Sequence, residues 1–193
     1  MDLLDFRRSE RVFDANNPMT QTQLAFILWS AQGIQKKNGI TFRPVPSGGA
    51  LHPFELYFIV RSVEGLKQGI YRYAPLEHIG EKRVAVEFKG ELNDLDSKIS
   101  EIFLKFPPKN ESVILLLSCV PYRKEWRYGY LAHRPILMDL GHVGQNIMLS
   151  STAMGLGSCC YAAYDQDLCD KILDIDGHEE FTVYVCTVGN ICK

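Results

Sequence analysis

The stretch from 135 to 154 constrains the fold more than any other part of the sequence. Ile136, Leu140, Val143, Ile147 and Met154 fall on one face of a helix, and Leu137, Gly141, Gly144, Met148 and Ser151 on a second, notched by small residues. These spacings follow a 3.6-residue turn. A helix apolar on two faces needs cover on two sides. Each interior glycine costs about 1 kcal/mol relative to alanine, which the close approach of another helix would offset. The pattern predicts a long buried helix with a layer packed on each face.

The rest of the chain supplies those layers. Residues 54–60, 69–73, 83–88, 113–119 and 181–188 are apolar, alternating or β-branched, and read as strands, with 113–119 a buried central one. Residues 2–8 suggest a short first helix carrying Arg7 and Arg8. Thr20-Gln21-Thr22-Gln23 has the capping-box pattern with Thr20 as N-cap; Leu24, Ile27, Leu28 and Ala31 follow at helical spacing, and Gly33 marks a stop. Leu92, Leu95, Ile99, Ile102, Phe103 and Phe106 suit an amphipathic helix closed by Pro107-Pro108. Residues 165–172 read as a short helix, and the polar, Gly- and Pro-rich 35–49 as a loop. Helices and strands without strict βαβ alternation argue for an α+β sandwich, expected to be one domain over 1–193.

Composition removes several function classes. The hydrophobic fraction of 46% and charged fraction of 23% are ordinary for a globular protein. A net charge of -2 leaves no electrostatic footprint for nucleic acid or an anionic membrane, and neither is expected as a partner. The longest strongly apolar run, 113–117, is strand-sized. MDLLDFRRSE has no basic segment followed by an apolar one, so no signal peptide is read and a cytoplasmic location is expected. Cys119, Cys159, Cys160, Cys169, Cys186 and Cys192 include no C-x-x-C pair and are expected to be free, mostly buried thiols. The five histidines lack metal-ligand spacing, so no metal is expected. Dinucleotide, P-loop and nucleophile-elbow signatures are absent.

Two segments carry positive signals. Arg7-Arg8-Ser9-Glu10-Arg11 gathers three guanidinium groups that repel unless an anion or water separates them. Arginine forks suit phosphate, and Ser9 adds a hydroxyl donor; charge alone also admits a solvated basic turn. Pro46-Ser47-Gly48-Gly49-Ala50 runs towards a strand. Its glycines let backbone approach a ligand closely, although a plain turn has the same composition.

Taken together, R-R-S-x-R-x-F, P-S-G-G-A-L-H-P-x-E-L-Y (46–57), G-I-Y-R-Y-A-P (69–75) and G-H-V-G-Q-N (141–146), followed by Gly-Leu-Gly, resemble the nitroreductase superfamily of FMN enzymes. The similarity is nearest to its SagB-type, azoline-dehydrogenase branch and runs from about Leu3 to Gly189. The resemblance implies an α/β/α sandwich with a mostly antiparallel sheet and the long helix buried at a dimer interface. It implies that Arg7, Arg8 and Ser9 hold the FMN phosphate and ribityl chain, with Arg11 near the N1/O2 edge. A cation there favours the reduced form. Pro46, Ser47, Gly48, Gly49 and Ala50 would come from the partner subunit of a homodimer. Cys160-Tyr161-Ala162-Ala163 matches the stretch whose backbone N–H meets flavin N5. Gln145 would reach the cofactor, or, with Asn146, form a polar pair satisfied inside the core.

Two departures stand out. Azoline dehydrogenases carry Lys-Tyr-Gly where this chain has Arg127-Tyr128-Gly129. Arginine is no general base at neutral pH, which leaves Tyr128 as the candidate catalytic acid. The resemblance implies a basic C-terminal segment that clamps the phosphate; with only 190–193 following Gly189, that clamp is expected to be missing or reduced to Lys193. The expected activity is ping-pong hydride transfer at N5 of FMN. The substrate is either a nitroaromatic or quinone reduced with NAD(P)H, or a heterocycle oxidised by the flavin. The alternative is a flavin-binding or accessory protein of a peptide-modifying complex, without turnover of its own.

Overall fold

The structure is a computed structural model and describes residues 3–75 and 85–192, apart from the side chains of residues 37 and 38. Its centre is Val113–Cys119 (β6), buried at every position. A strand apolar on both sides has to be covered on both sides. Phe54–Val60 (β3) flanks it on one edge and Phe181–Asn190 (β8) on the other. Gly69–Tyr73 (β4), Val86–Gly90 (β5) and Leu156–Tyr161 (β7) complete a six-stranded sheet in the order β5-β4-β3-β6-β8-β7. All five pairings are antiparallel.

Alternation along the central strands sorts the two layers. Leu115 and Leu117, with Leu56 and Phe58, meet Leu24, Ile27 and Leu28 of α2 (Gln21–Gln32) and Leu140, Val143 and Ile147 of α5 (His133–Ala153). Ile114 and Leu116, with Tyr57 and Ile59, meet Ile99 and Ile102 of α3 (Leu95–Ile102) and Cys169 and Leu173 of α6 (Gln166–Leu173). The result is the α/β/α sandwich with an antiparallel sheet that the sequence reading anticipates. Among the described residues no helix is long and apolar enough to cross a membrane.

The local signals hold where side chains decide them. The Thr20 hydroxyl accepts from the Gln23 N–H at 3.2 Å, and the Gln23 side chain accepts from the Thr20 N–H at 2.9 Å, closing the capping box. Gly33 does end α2, but not through a left-handed cap: its φ is -62°. A Cβ there would lie 2.3 Å from Trp29 Cδ1, so the indole enforces glycine.

Several boundaries shift. The first helix, α1 (Leu3–Phe6), stops short of Arg7 and Arg8, which the sequence reading places within it; Asp2 lies outside the described residues. Of the strand expected over 83–88, Arg83 and Val84 lie outside the described residues; β5 begins at Val86 and ends at Gly90, two residues beyond the expected end. The helix expected over 92–106 is confined to α3. Inside the supposed loop 35–49 sits a hairpin of Lys36–Asn38 (β1) and Ile40–Phe42 (β2), turned at Gly39 with φ 70°. A helix not read from the sequence, Tyr122–Tyr128 (α4), follows Pro121 and stops at Gly129.

The two stripes of α5 fare differently. The first is the buried seam. The second divides: Leu137 is 64% exposed and Gly141 faces open space, whereas Gly144 and Ser151 are buried. A Cβ on Gly144 would lie 2.7 Å from a ring carbon of Tyr184 on β8. The close neighbour that demands glycine at 144 is thus a strand residue of the same chain, not a second helix.

Candidate functional site

The N-terminal segment is laid along the free edge of the sheet. Ser9 bridges Ser158 of β7 in parallel, and the Glu10 N–H donates to the Ser158 carbonyl at 2.9 Å. Gly157 makes this crossing possible, because a Cβ there would meet Glu10 Cβ at 2.8 Å. Beyond it the Lys109 N–H donates to the Arg11 carbonyl and the Phe13 N–H to the Lys109 carbonyl, both at 2.9 Å, and the Phe13 ring is buried. This addition covers an edge that would otherwise present unpaired backbone. It also fixes the backbone on which the arginines stand.

Arg7 is half-buried, and Arg8 and Arg11 are exposed. The Arg11 guanidinium lies 5.8 Å from the centre of the Tyr161 ring. The fold therefore sets the basic segment beside Cys160-Tyr161-Ala162-Ala163, two stretches to which the family resemblance gives separate roles at the flavin. Among the described residues none of Arg7, Arg8 and Arg11 has a carboxylate partner. Three guanidinium groups with unspent donors on one stretch of backbone fit a phosphate monoester.

The second nominated segment is organised by two residues the sequence reading missed. Lys124 of α4 is fully buried. Its ammonium lies 2.6 Å from Asp139 Oδ2, donates to the Gly48 carbonyl at 2.7 Å and to Ser47 Oγ at 3.0 Å. All three donors of the ammonium are thereby used. Asp139, on α5, also accepts from the Ser47 hydroxyl at 2.6 Å and the Gly48 N–H at 3.1 Å. Ser47 Oγ in turn accepts from the His52 N–H at 3.0 Å. The loop is thus nailed to α4 and α5 of its own chain.

Its backbone is held in uncommon conformations. Gly49 has φ 71°, and the non-glycine residues Ala50 and His52 have φ 55° and 41°. Such geometry is costly and tends to mark working loops. A Cβ on Gly49 would lie 2.9 Å from the Tyr128 hydroxyl and 3.1 Å from Arg127 Nη1. Tyr128 is therefore brought against the 47–50 loop, with Lys124 and Arg127 at 5.9 and 5.8 Å from its ring centre. Burial pushes His52 below its ordinary pKa, and the Arg43 charge adds to the effect.

The helix pair Gln145-Asn146 separates into two roles. Asn146 Nδ2 donates to the Ser30 carbonyl at 3.1 Å and ties α5 to α2. Gln145 is exposed and free to meet a ligand or a partner. Among the described residues no hydrogen bond or ion pair joins the 7–11 group to the 46–50 group within one chain. A cavity of about 560 Å³ opens between α4, the start of α5 and β8; it is lined by Tyr122, Glu125, His133, Leu137, His178 and Phe181 among others, and by none of the nominated residues.

The sequence profile of the Nitroreductase family matches residues 4–190. The chain belongs to that family. Among the family's relatives, MJ1384 of Methanocaldococcus jannaschii is 33% identical over 189 residues, which is 97% of this chain and 89% of that protein. The microcin B17-processing protein McbC of Escherichia coli is 28% identical over 158 residues, 79% of this chain and 56% of McbC. This nitroreductase-family chain thus spans little more than half of the processing protein. Among solved structures, the E. coli microcin synthetase McbBCD complex with truncated pro-MccB17 bound has a chain that superposes with a TM-score of 0.78 at 22% identity, over all of this chain and 74% of that one. The likeness extends the fold assignment to the whole sandwich. Family membership makes the protein an oxidoreductase.

Proposed function

We propose that the protein is an FMN-dependent oxidoreductase, a homodimer with two shared sites. The carrying observation is the Arg7-Arg8-Ser9-Glu10-Arg11 segment, whose guanidinium groups have no carboxylate partner among the described residues and which is laid along β7 with Arg11 over Tyr161. FMN, when bound, would supply two-electron hydride chemistry at N5 in two half-reactions. Arg7, Arg8 and Ser9 would hold its phosphate and ribityl chain, and Arg11 would favour the negative charge that gathers at N1/O2 on reduction. The backbone of Cys160–Ala163 would lie along the N5 edge, with Gln145 within reach. Pro46, Gly49 and Ala50 would reach the site of a second copy, since Ser47 and Gly48 are committed to Lys124 and Asp139 in their own chain. Tyr128, against that loop, would donate the proton. The substrate is a nitroaromatic or quinone reduced with NAD(P)H, or a heterocycle oxidised by the flavin.

Release and chromatography of the cofactor, then anaerobic titration with NADH and NADPH, test this reading. Yellow protein releasing FMN and bleached by a nicotinamide supports it. FAD, or no flavin after reconstitution, sinks it. Kinship with McbC favours a second reading, an accessory role in a peptide-modifying complex, without independent turnover. Bound FMN that no nicotinamide reduces, together with stable association with cyclodehydratase-like proteins, would select it.

A further inference from the structure

Cys160 and Cys186 face each other across β7 and β8 as register partners, and their sulfurs are 3.0 Å apart. Residues directly opposite on antiparallel strands have Cα atoms about 4.5–5.5 Å apart, within the span of roughly 4.4–6.8 Å that a disulfide bridges. The geometry points to a dithiol site: Cys160 and Cys186 form a reversible cross-strand disulfide, with hydrogen peroxide as oxidant and Cys160 as the sulfur oxidised first. The inference stands on the two strands alone and does not depend on a bound flavin.

The surroundings divide the labour. Cys160 is partly exposed, whereas Cys186 is fully buried. The Cys186 S–H donates to the Cys160 sulfur, and this contact holds the Cys160 thiol below its ordinary value against the opposing effect of burial. The Tyr184 hydroxyl and the charge of Arg7 act in the same direction as the Cys186 contact. Burial pushes Cys186 well above its ordinary value, so it stays a thiol until its partner is oxidised. The thiolate is the nucleophilic form. The Cys160 S–H faces the Gly144 carbonyl of α5 and donates to it at 3.9 Å. Cys159, one residue away, belongs to the opposite face of the sheet and packs with the other core cluster.

The chemistry closes. The Cys160 thiolate attacks one peroxide oxygen and the O–O bond breaks. The departing hydroxide takes a proton and leaves as water, and Cys160 becomes a sulfenic acid. The Cys186 sulfur then attacks the Cys160 sulfur. Its proton and the sulfenic hydroxyl leave as a second water, and the S–S bond forms. Two thiols are oxidised by one peroxide, which is reduced to two waters. A buried resolving thiol at this distance would keep Cys160 from going on to the sulfinic acid.

The test uses the full chain, reduced, desalted and exposed to hydrogen peroxide, then denatured and alkylated. Cleavage after Arg127 and Lys171, with the Arg134–Pro135 bond resisting trypsin, places Cys160 and Cys186 on different tryptic peptides, 128–171 and 172–193. The expected product is these peptides joined through Cys160 and Cys186, two hydrogens lighter than their sum and separated by dithiothreitol. In Cys186→Ala, dimedone should trap several-fold more sulfenic acid at Cys160 than in the unaltered chain. Cys160 and Cys186 both still open to alkylation, after a dose that oxidises the exposed Cys192, would overturn the proposal. So would a link from Cys186 to Cys159. The peptide map of the unaltered chain decides the matter even if the variant fails to fold.

Discussion

The Lys124 ammonium sits 2.6 Å from the Asp139 carboxylate with the lysine fully buried and the aspartate 4% exposed. Removing one partner of such a pair leaves an uncompensated charge in a place water does not reach. Lys124→Met should therefore cost roughly 3–5 kcal/mol of stability. Lys124→Met combined with Asp139→Asn should cost less than Lys124→Met alone, because the stranded carboxylate is gone. Urea unfolding of the single and double variants measures the difference as a coupling energy. A Lys124→Met chain within about 1 kcal/mol of the parent would mean that the pair does not pin the loop at 47–50.

Arg7 and Arg8 should behave in the opposite way. Neither has a carboxylate partner within the described chain, so their loss removes little that holds the fold together. Each alanine substitution should weaken FMN binding by roughly 1.5–3 kcal/mol, the worth of a hydrogen bond to a charged group, with apo-protein stability nearly unchanged. Quenching of flavin fluorescence gives the affinity and thermal unfolding of the apo-protein the stability. Unchanged affinity would return the cluster to an ordinary solvated surface.

How much of this was legible in the sequence depends on where the deciding contact lies. Strands β3, β6 and β8 announce themselves because burial on both faces leaves mostly apolar and β-branched residues. The α2 start is legible because Thr20 and Gln23 are three residues apart and cap each other. The β1–β2 hairpin had a signal that polarity obscured, namely Gly39, which takes the positive φ of the turn at no steric cost. Helix α4 had one too, Pro121 before it and Gly129 after it. Lys124 had none. Its burial depends on Asp139 and on the carbonyl of Gly48, which lies 76 positions away in sequence, and no local pattern encodes so distant a partner. The reason for Gly144 was hidden in the same way, since Tyr184 arrives from another strand.

Arg11 separates binding from reduction. Arg11→Leu should lower the flavin reduction potential while the phosphate end stays held by Arg7 and Arg8. Charge develops at N1/O2 only on reduction, so a cation there acts on one redox state more than the other. The same change removes a contact with the Tyr161 ring at 5.8 Å, worth about 0.5–1 kcal/mol at an exposed site. Spectroelectrochemistry reads the potential and thermal unfolding reads the ring contact. A potential equal to the parent's, in a chain that has lost the ring contact, would make Arg11 a structural residue only.

The oligomeric state turns on the outer face of α5. Leu137 and Met138 are 64% and 66% exposed there, and nothing lies within 4 Å of a Cβ placed on Gly141. Large apolar side chains beside an open glycine suit a helix from a second copy, and a two-fold axis would present the same patch on both chains. Gly141→Arg tests that contact with little disturbance of the chain that carries it, because a Cβ at this exposed position has no neighbouring atom within 4 Å. Gly144→Leu could not, since it would strike Tyr184 within its own fold. By light scattering the parent should have twice the mass of the chain. Gly141→Arg should have the single mass, with an unchanged far-ultraviolet spectrum. If Pro46, Gly49 and Ala50 complete the site of the other copy, flavin should leave as the dimer parts, on dilution as well as in the variant. A parent protein of single-chain mass that still holds FMN would refute the shared site, and would place the 46–50 loop in service of its own chain through Tyr128.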